Sequence, residues 1–356
     1  MAVGLLQGTI GAIQELDHAA ERAATARLNT LTKPAGSLGY LEDLVRRYAG
    51  IRRDPGARFG GGALLVFVAD HGVTQAGISA YPKAVTVEML RNIAAGGAAI
   101  SVLARSFGYQ LFVTDVGVEA DTSPAPLPSV RYRRVSAGTR NFLNGPAMSL
   151  GQVTSALEVG IEAAQEAATR GPTLLGMGEM GIGNTTSAAA VLAALTGFPA
   201  RRLVGRGTGL DEAGWEHKIG VVEAALQLHQ GGCGDGLQTL AALGGFEIAA
   251  MAGACLGAAA EKLPIVVDGF IATAAALAAE RIRPGLSEYM FFGHRSAEGG
   301  HSLVLELLGV RPILDLGMRL GEGTGAALAM KTIESALELF HHMATFTSAG
   351  VSGKLD

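Results

Sequence analysis

The stretch Pro172-Thr-Leu-Leu-Gly-Met-Gly-Glu-Met-Gly-Ile-Gly-Asn-Thr-Thr186 decides the fold class. An apolar run of strand length passes directly into a glycine-rich turn, and the turn opens a helix through Asn-Thr-Thr followed by Ser187 and three alanines. Strand, tight turn and helix in succession are half of a βαβ unit, the building block of a parallel sheet. The turn also has the chemistry of an anion cradle. Glycines let backbone amides face inward, and the helix that follows adds unpaired N–H groups and a positive dipole end, so phosphate is the natural guest. Neither common fingerprint fits. Gly-x-Gly-x-x-Gly can be laid on Gly176, Gly178 and Gly181, but Glu179 then sits inside the turn, where it would repel a pyrophosphate. No Gly-Lys-Ser/Thr follows, which excludes a Walker loop. A carboxylate beside the cradle implies that something besides phosphate is handled there.

Working outward, apolar runs of strand length recur at 63–69, 110–113, 173–177, 264–267, 289–292 and 312–314. None alternates cleanly, which marks strands covered on both faces. Helical patterns lie between them at 84–107, 155–169, 212–230 and 296–308. The expected fold is α/β, a mostly parallel sheet flanked by helices. Both ends of the chain also read as helical, at 13–28, 38–53 and 325–345. This predicts a large α/β domain over 60–324 and a small helical domain made from 1–59 together with 325–356. The segment 117–147, with several prolines and Arg131, Arg133, Arg134 and Arg140, reads as a long surface connection. The apolar stretch 237–260 raises the question of a membrane span, but Glu247 interrupts it and glycines dilute it. A buried helix or helix pair is expected instead.

The composition fits this reading. Of 356 residues, 49% are hydrophobic and 51 are glycine, as close-packed helices joined to a sheet by tight turns require. A net charge of -4 makes no electrostatic case for nucleic acid or an anionic membrane, so the partner is expected to be small. Two cysteines, Cys233 and Cys255, cannot build a disulfide framework, and residues 1–18 lack a signal-peptide pattern, which together suggest a cytoplasmic protein.

Ligands of open parallel sheets sit beyond the carboxyl ends of the strands, so the residues just after each apolar run matter most. They are Asp70-His71, Asp115, Glu179, Asp268, His294-Arg295 and, after the last run, Asp315 and then Glu322. Each alone could be a helix cap, Asp115 and Asp268 above all. That every run ends this way is harder to explain by capping. Glu322 stands between two glycines in Leu316-Gly-Met-Arg-Leu-Gly-Glu-Gly-Thr-Gly325, so its backbone could approach a ligand closely; equally, it could serve the dipole of the next helix. Metal chemistry finds little support. His294 and His301 lack zinc-helix spacing, and no Asp-Asp pair of the kind that holds magnesium on a pyrophosphate is present. Nor is there a Gly-x-Ser-x-Gly elbow; Cys255 has no histidine near it, and the Cys233-His229 pair falls at a helix end. What remains is a phosphate cradle lined with carboxylates, which suits chemistry on a mononucleotide.

Seven stretches carry a resemblance. Lys33-Pro-Ala-Gly-Ser-Leu-Gly-Tyr-Leu-Glu42, Ala69-Asp-His-Gly-Val73, Gly178-Glu-Met-Gly-Ile-Gly-Asn-Thr-Thr186, Gly205-Arg-Gly-Thr-Gly209, Val267-Asp-Gly-Phe270, Gly293-His-Arg-Ser-Ala-Glu-Gly-Gly-His301 and Leu320-Gly-Glu-Gly-Thr-Gly325 together resemble the nicotinate-nucleotide:dimethylbenzimidazole phosphoribosyltransferase family. Any one is weak, but seven in order across nearly the whole chain are specific. The resemblance implies transfer of the phosphoribosyl group of nicotinate mononucleotide to 5,6-dimethylbenzimidazole or a related base. The products are α-ribazole 5'-phosphate, destined for the cobalamin nucleotide loop, and nicotinate. It also implies a Rossmann-like six-stranded domain, a homodimer, and no cofactor or metal.

Within that chemistry the acceptor needs the help. A pyridinium leaves readily because cleavage neutralises its ring, whereas the attacking benzimidazole must lose its ring N–H, and a general base there is worth ~10²–10⁴-fold. The resemblance places that base at Glu322, with Glu179 and Lys218 as further charged site positions. Phosphate and ribose are then expected at Gly181, Ile182, Gly183, Asn184 and Thr185 and at the Gly207, Thr208, Gly209 turn. The base is expected against Ser79, Tyr81, Pro82 and Met89 and a wall of Leu316 and Met318. A helical lysine such as Lys218 is ordinarily solvated. Two rival classes make different demands. A dinucleotide-dependent oxidoreductase needs a ribose-binding acid about twenty residues after its first glycine, where this chain has Leu195-Thr-Gly-Phe-Pro199. A non-catalytic nucleotide binder has no use for Glu322.

Overall fold

The computed structural model describes residues 4–120, 126–207 and 209–352, so Thr208 of the predicted phosphate turn, Met1 to Val3 and part of the 117–147 connection lie outside it. Among the described residues six strands form one sheet: β1 (Gly62–Ala69), β2 (Gln110–Gly117), β3 (Val130–Tyr132), β4 (Leu174–Met180), β5 (Ile265–Val267) and β6 (Met290–Phe292). All are parallel, in the order β3-β2-β1-β4-β5-β6. Every residue of β1 is buried, as is every residue of β4 except Met180, which explains the missing polar alternation. Successive side chains of β4 serve opposite faces. Met177 meets Cys255 of the Phe246–Ala260 helix at 3.6 Å between sulfurs, and Gly176 lies against Met330 of the Thr324–His342 helix.

The strand number agrees with expectation, but the membership does not. Residues 312–314 run beside the end of β6, where Ile313 and Leu314 N–H donate to the Phe292 and Gly293 carbonyls and Arg295 N–H donates to the Leu314 carbonyl. They form only an isolated bridge, Leu314 to His294, and Pro312 has no N–H to extend it into a ladder. The sixth strand comes instead from the arginine-rich connection. Val130–Tyr132 pairs with Val113, Thr114 and Asp115 at the sheet edge. Its arginines protect that edge: Arg131 stacks over the Phe112 ring and pairs with Glu166, and Arg133 pairs with Glu162.

Glycines also divide two of the predicted helices. Residues 84–107 form Val85–Ala94 and Ala99–Phe107, broken at Gly96 with φ +86°, and neither piece is long enough to cross a bilayer. Residues 237–260 form Gly236–Leu243 and Phe246–Ala260, the second a core helix. It packs closely on the Leu150–Thr169 helix because Gly160 and Gly253 put no Cβ in the contact. The chain ends meet: the His18–Thr30 helix joins the Thr324–His342 helix through Arg27, which donates to the Phe340 and His341 carbonyls.

The topology sets the position of the site. Beyond β1 the chain moves outward to β2 and β3, and beyond β4 it moves the other way to β5 and β6. The loops leaving β1 and β4 therefore diverge and open a crevice at the carboxyl ends of these two strands.

Candidate active site

A cavity of about 420 Å³ occupies this crevice. Its walls come from the segment after β1 (Tyr81, then Val85 and Met89 on the Val85–Ala94 helix), the end of β4 and the turn into the next helix (Glu179 to Ile182, Asn184, Thr185), the residues just beyond β5 and β6 (Asp268, His294) and the last glycine turn (Arg319 to Glu322). The two glycine turns dock backbone to backbone. A Cβ on Gly178 would lie 2.3 Å from the Gly323 nitrogen and 2.4 Å from the Glu322 carbonyl carbon, so only glycine permits this approach. Likewise, a Cβ on Gly321 would lie 2.5 Å from Glu179 Oε1. The two carboxylates thus share one end of the cavity.

Glu322 is 5% exposed and has φ +62°, a left-handed backbone that is uncommon for a non-glycine residue. Such strain persists only where the surroundings enforce it. Here they do: Ile100 N–H, in the first turn of the Ala99–Phe107 helix, donates to Glu322 Oε2 at 3.2 Å. The carboxylate therefore serves a helix end, but a different one from the helix that follows it in sequence. Burial pushes the Glu322 carboxyl above the ordinary glutamate value; the bond from Ile100 opposes this and the Asp268 charge adds to it.

Glu179 is more enclosed. Burial, then the charges of Glu247 and Asp268, hold its carboxyl well above the ordinary value, with Asn184 Nδ2, which donates to Oε2, opposing them. Asp268 accepts from Gly323 N–H at 3.2 Å and Ala326 N–H at 2.8 Å, so it caps the Thr324–His342 helix and steadies the Glu322 turn. Burial pushes it up to about 7. The capping alternative for Asp268 is therefore correct, and it coexists with a place on the cavity wall. Asp115 is likewise structural, bound to Val118 N–H and Arg134.

Lys218 is 1% exposed, unlike a solvated helical lysine. Its ammonium donates to Thr185 Oγ1 at 2.8 Å and to the Gly205 carbonyl at 3.4 Å, directly beneath Gly207. Burial pushes it down to about 8 against the opposing charge of Glu298. Lys218 does not itself line the cavity; its ammonium stands behind Thr185 and Gly207, which do, while Glu179, Asp268 and Glu322 bring buried carboxylates to the wall. Among the described residues no three His, Cys, Asp or Glu side chains converge so as to hold a metal ion.

Comparison with known proteins accounts for this arrangement. A family model described as Phosphoribosyltransferase matches residues 13–351. Nicotinate-nucleotide–dimethylbenzimidazole phosphoribosyltransferase of Chloroflexus aggregans is 50% identical over 352 residues, covering 99% of both chains. The enzyme of the same name from Geobacter sp. strain M21 is 46% identical over 98% of this chain and 99% of its own. The crystal structure of CobT from Thermus thermophilus superposes with a TM-score of 0.90 at 45% identity, over 94% of this chain and 100% of that one. The chain belongs to the nicotinate-nucleotide:dimethylbenzimidazole phosphoribosyltransferase family.

Some of the residues singled out from the sequence meet in this cavity and others do not. Tyr81, Met89, Glu179, Gly181, Ile182, Asn184, Thr185, Gly207 and Glu322 all line the cavity. Not every expected amide is available to a phosphate. Ile182 N–H donates to Thr86 Oγ1, Asn184 N–H to the Gly181 carbonyl, Gly207 N–H to Glu298 Oε1 and Gly209 N–H to the Arg206 carbonyl. The Gly183 and Thr185 amides take no partner among the described residues, and the Lys218 ammonium donates to the Thr185 hydroxyl. Ser79 and Pro82 shape the bend that carries Tyr81 without lining the cavity themselves. Leu316 is 59% exposed and neither it nor Met318 lines the cavity; Arg319, Leu320 and Gly321 take that wall instead. Glu298 and Arg319, which hold the Gly207 turn at its N–H and carbonyl, were not expected from sequence. The only signal for Glu298 was its place in the His294–His301 motif.

Proposed function

We propose that this transferase moves the phosphoribosyl group of nicotinate mononucleotide to 5,6-dimethylbenzimidazole or a related base, with inversion at the anomeric carbon, releasing nicotinate and α-ribazole 5'-phosphate. The observation that carries the reading is the docking of the two glycine turns, which sets Glu322 and Glu179 together on the wall of a cavity that Thr185 also lines, with Lys218 behind the Thr185 hydroxyl and the Gly183 and Thr185 amides next to it in the turn. Lys218, Thr185 and these amides receive the 5'-phosphate. The carboxylate end suits the cationic pyridinium of the donor and the positive charge that develops on the attacking benzimidazole.

The two acids divide the labour because their surroundings differ. Glu179 is buried among other carboxylates, which with its desolvation raises its carboxyl well above the ordinary glutamate value, and it faces the ribose. Glu322 is raised less, has one oxygen tied to Ile100 N–H, and turns the other toward the acceptor N–H as general base. Asp268 holds the Glu322 turn in place. Residues 60–324 act as the catalytic domain, and 1–59 together with 325–356 make a small helical domain. Exposed Leu316 and Leu320 near the cavity mouth favour a homodimer, and the cysteine content favours the cytoplasm.

Purified protein mixed with nicotinate mononucleotide and dimethylbenzimidazole should yield nicotinate and the ribazole phosphate in equal amounts by chromatography. No nicotinate release with any benzimidazole or purine would sink the proposal. Glu322→Gln should lower kcat by ~10²-fold or more with nucleotide affinity nearly intact; full turnover in this variant would require a different base.

A further inference from the structure

Behind the nucleotide end of the cavity lies a buried pair that the proposed reaction does not use. His71, just beyond β1, and Glu247, in the first turn of the Phe246–Ala260 helix, are both enclosed, with Nε2 and Oε1 2.6 Å apart. A carboxylate inside an otherwise apolar helix is costly unless it is bonded. The location of the pair suggests why it is there. A Cβ on Gly181 would sit 3.4 Å from His71 Cδ2, and one on Gly183 3.4 Å from His71 Cβ, so the residue packs against the underside of the phosphate turn. On the other side Gly245 leaves space that any side chain would close: a Cβ there would lie 2.3 Å from His71 Cε1 and 2.6 Å from Glu247 Oε2. The imidazole is held between Gly245 and the phosphate turn. His71 Nδ1 and Glu247 Oε2 have no partner among the described residues. The Nε2 to Oε1 bond therefore orients the ring by itself. Glu247 is also the charged neighbour with the largest effect on Glu179.

We propose that His71 and Glu247 are positioning residues for the nucleotide, their bond setting the height of the Gly181 to Gly183 turn without touching the acceptor side. This rests on the assignment of that turn to the 5'-phosphate. Glu247→Asp withdraws the carboxylate by one methylene and keeps its charge, whereas Glu247→Gln keeps the reach and removes the charge. For Glu247→Asp the KM for nicotinate mononucleotide should rise roughly tenfold, with the KM for dimethylbenzimidazole within about twofold of wild type. Glu247→Gln should stay within about threefold of wild type for both. If the Asp variant fails to fold, His71→Asn, which withdraws the ring, supplies the same contrast. An unchanged nucleotide KM in the withdrawn variant, or a parallel rise in both KM values, would overturn the positioning role. Calorimetric binding of nicotinate mononucleotide without base should rank the variants in the same order. A wild-type protein that binds the nucleotide but never releases nicotinate would refute the reaction and leave this binding test standing.

Discussion

Gly178→Ala tests the docking of the two turns more directly than any change to the carboxylates themselves. The new Cβ would face the Gly323 nitrogen at 2.3 Å and the Glu322 carbonyl carbon and oxygen at 2.4 Å. These are backbone atoms and cannot swing aside as a flexible side chain would. Reaching ordinary contact at 3.4 Å requires the Glu322 turn to retreat by about 1 Å. That retreat strains the bonds from Ile100 N–H to Glu322 and from Gly323 N–H to Asp268 together. A misplacement of ~1 Å costs on the order of 10²-fold in rate, equivalent to about 2.7 kcal/mol of barrier. Overpacking adds a stability cost of about 1–3 kcal/mol. Lys218 is held by Thr185 and Gly205 and takes no part in this contact, so nucleotide KM should change little. The assay is steady-state nicotinate formation by chromatography, with a thermal melt on the same sample. A folded variant with kcat within about threefold of wild type would refute the argument that this contact places the base. So would a loss confined to nucleotide KM.

Three further outcomes are expected. Lys218→Met should raise nucleotide KM by roughly ten- to a hundredfold, since a charge-assisted bond is worth about 1.5–3 kcal/mol; in the wild type, nucleotide KM should climb as pH passes through about 8, where this lysine loses its charge, and a flat profile in steady-state kinetics would count against its contact with phosphate. Asp268 has a folded value near 7, above its ordinary 3.8, so its contribution to stability is full at low pH and is lost as pH rises through about 7; the destabilisation by Asp268→Asn, read from denaturant melts, should therefore be largest near pH 4 and shrink toward pH 8. Gly253→Ala places a Cβ 1.9 Å from the Leu157 carbonyl oxygen in the core helix pair; the expected loss of about 2 kcal/mol or more exceeds the roughly 1 kcal/mol gained in helix propensity, and an unchanged melting temperature would contradict it.

What could be read from the sequence was local. The apolar run into glycines 176, 178, 181 and 183 announced a strand, a tight turn and a helix, because each of those states is favoured by residues next to one another. The β3 strand could not be read this way. Three residues, Val130–Tyr132, have too little pattern of their own, and they become a strand only because β2 offers them an edge. Residues 312–314 show the converse, with apolar character sufficient for a strand but a proline that prevents the ladder from continuing.

The candidate site divides along the same line. Sequence by itself determined that this chain has a parallel sheet, a glycine turn able to cradle phosphate, and carboxylates at the strand ends. Tertiary structure decided what those groups can do. Glu322 is braced by Ile100, 222 residues away, and Asp268 caps a helix that begins 56 residues later. Lys218 is buried against Thr185 across 33 residues of chain. The state of a carboxylate or an ammonium depends on which charges and dipoles surround it and how far water is excluded. Those neighbours come from segments that meet only when the sheet closes.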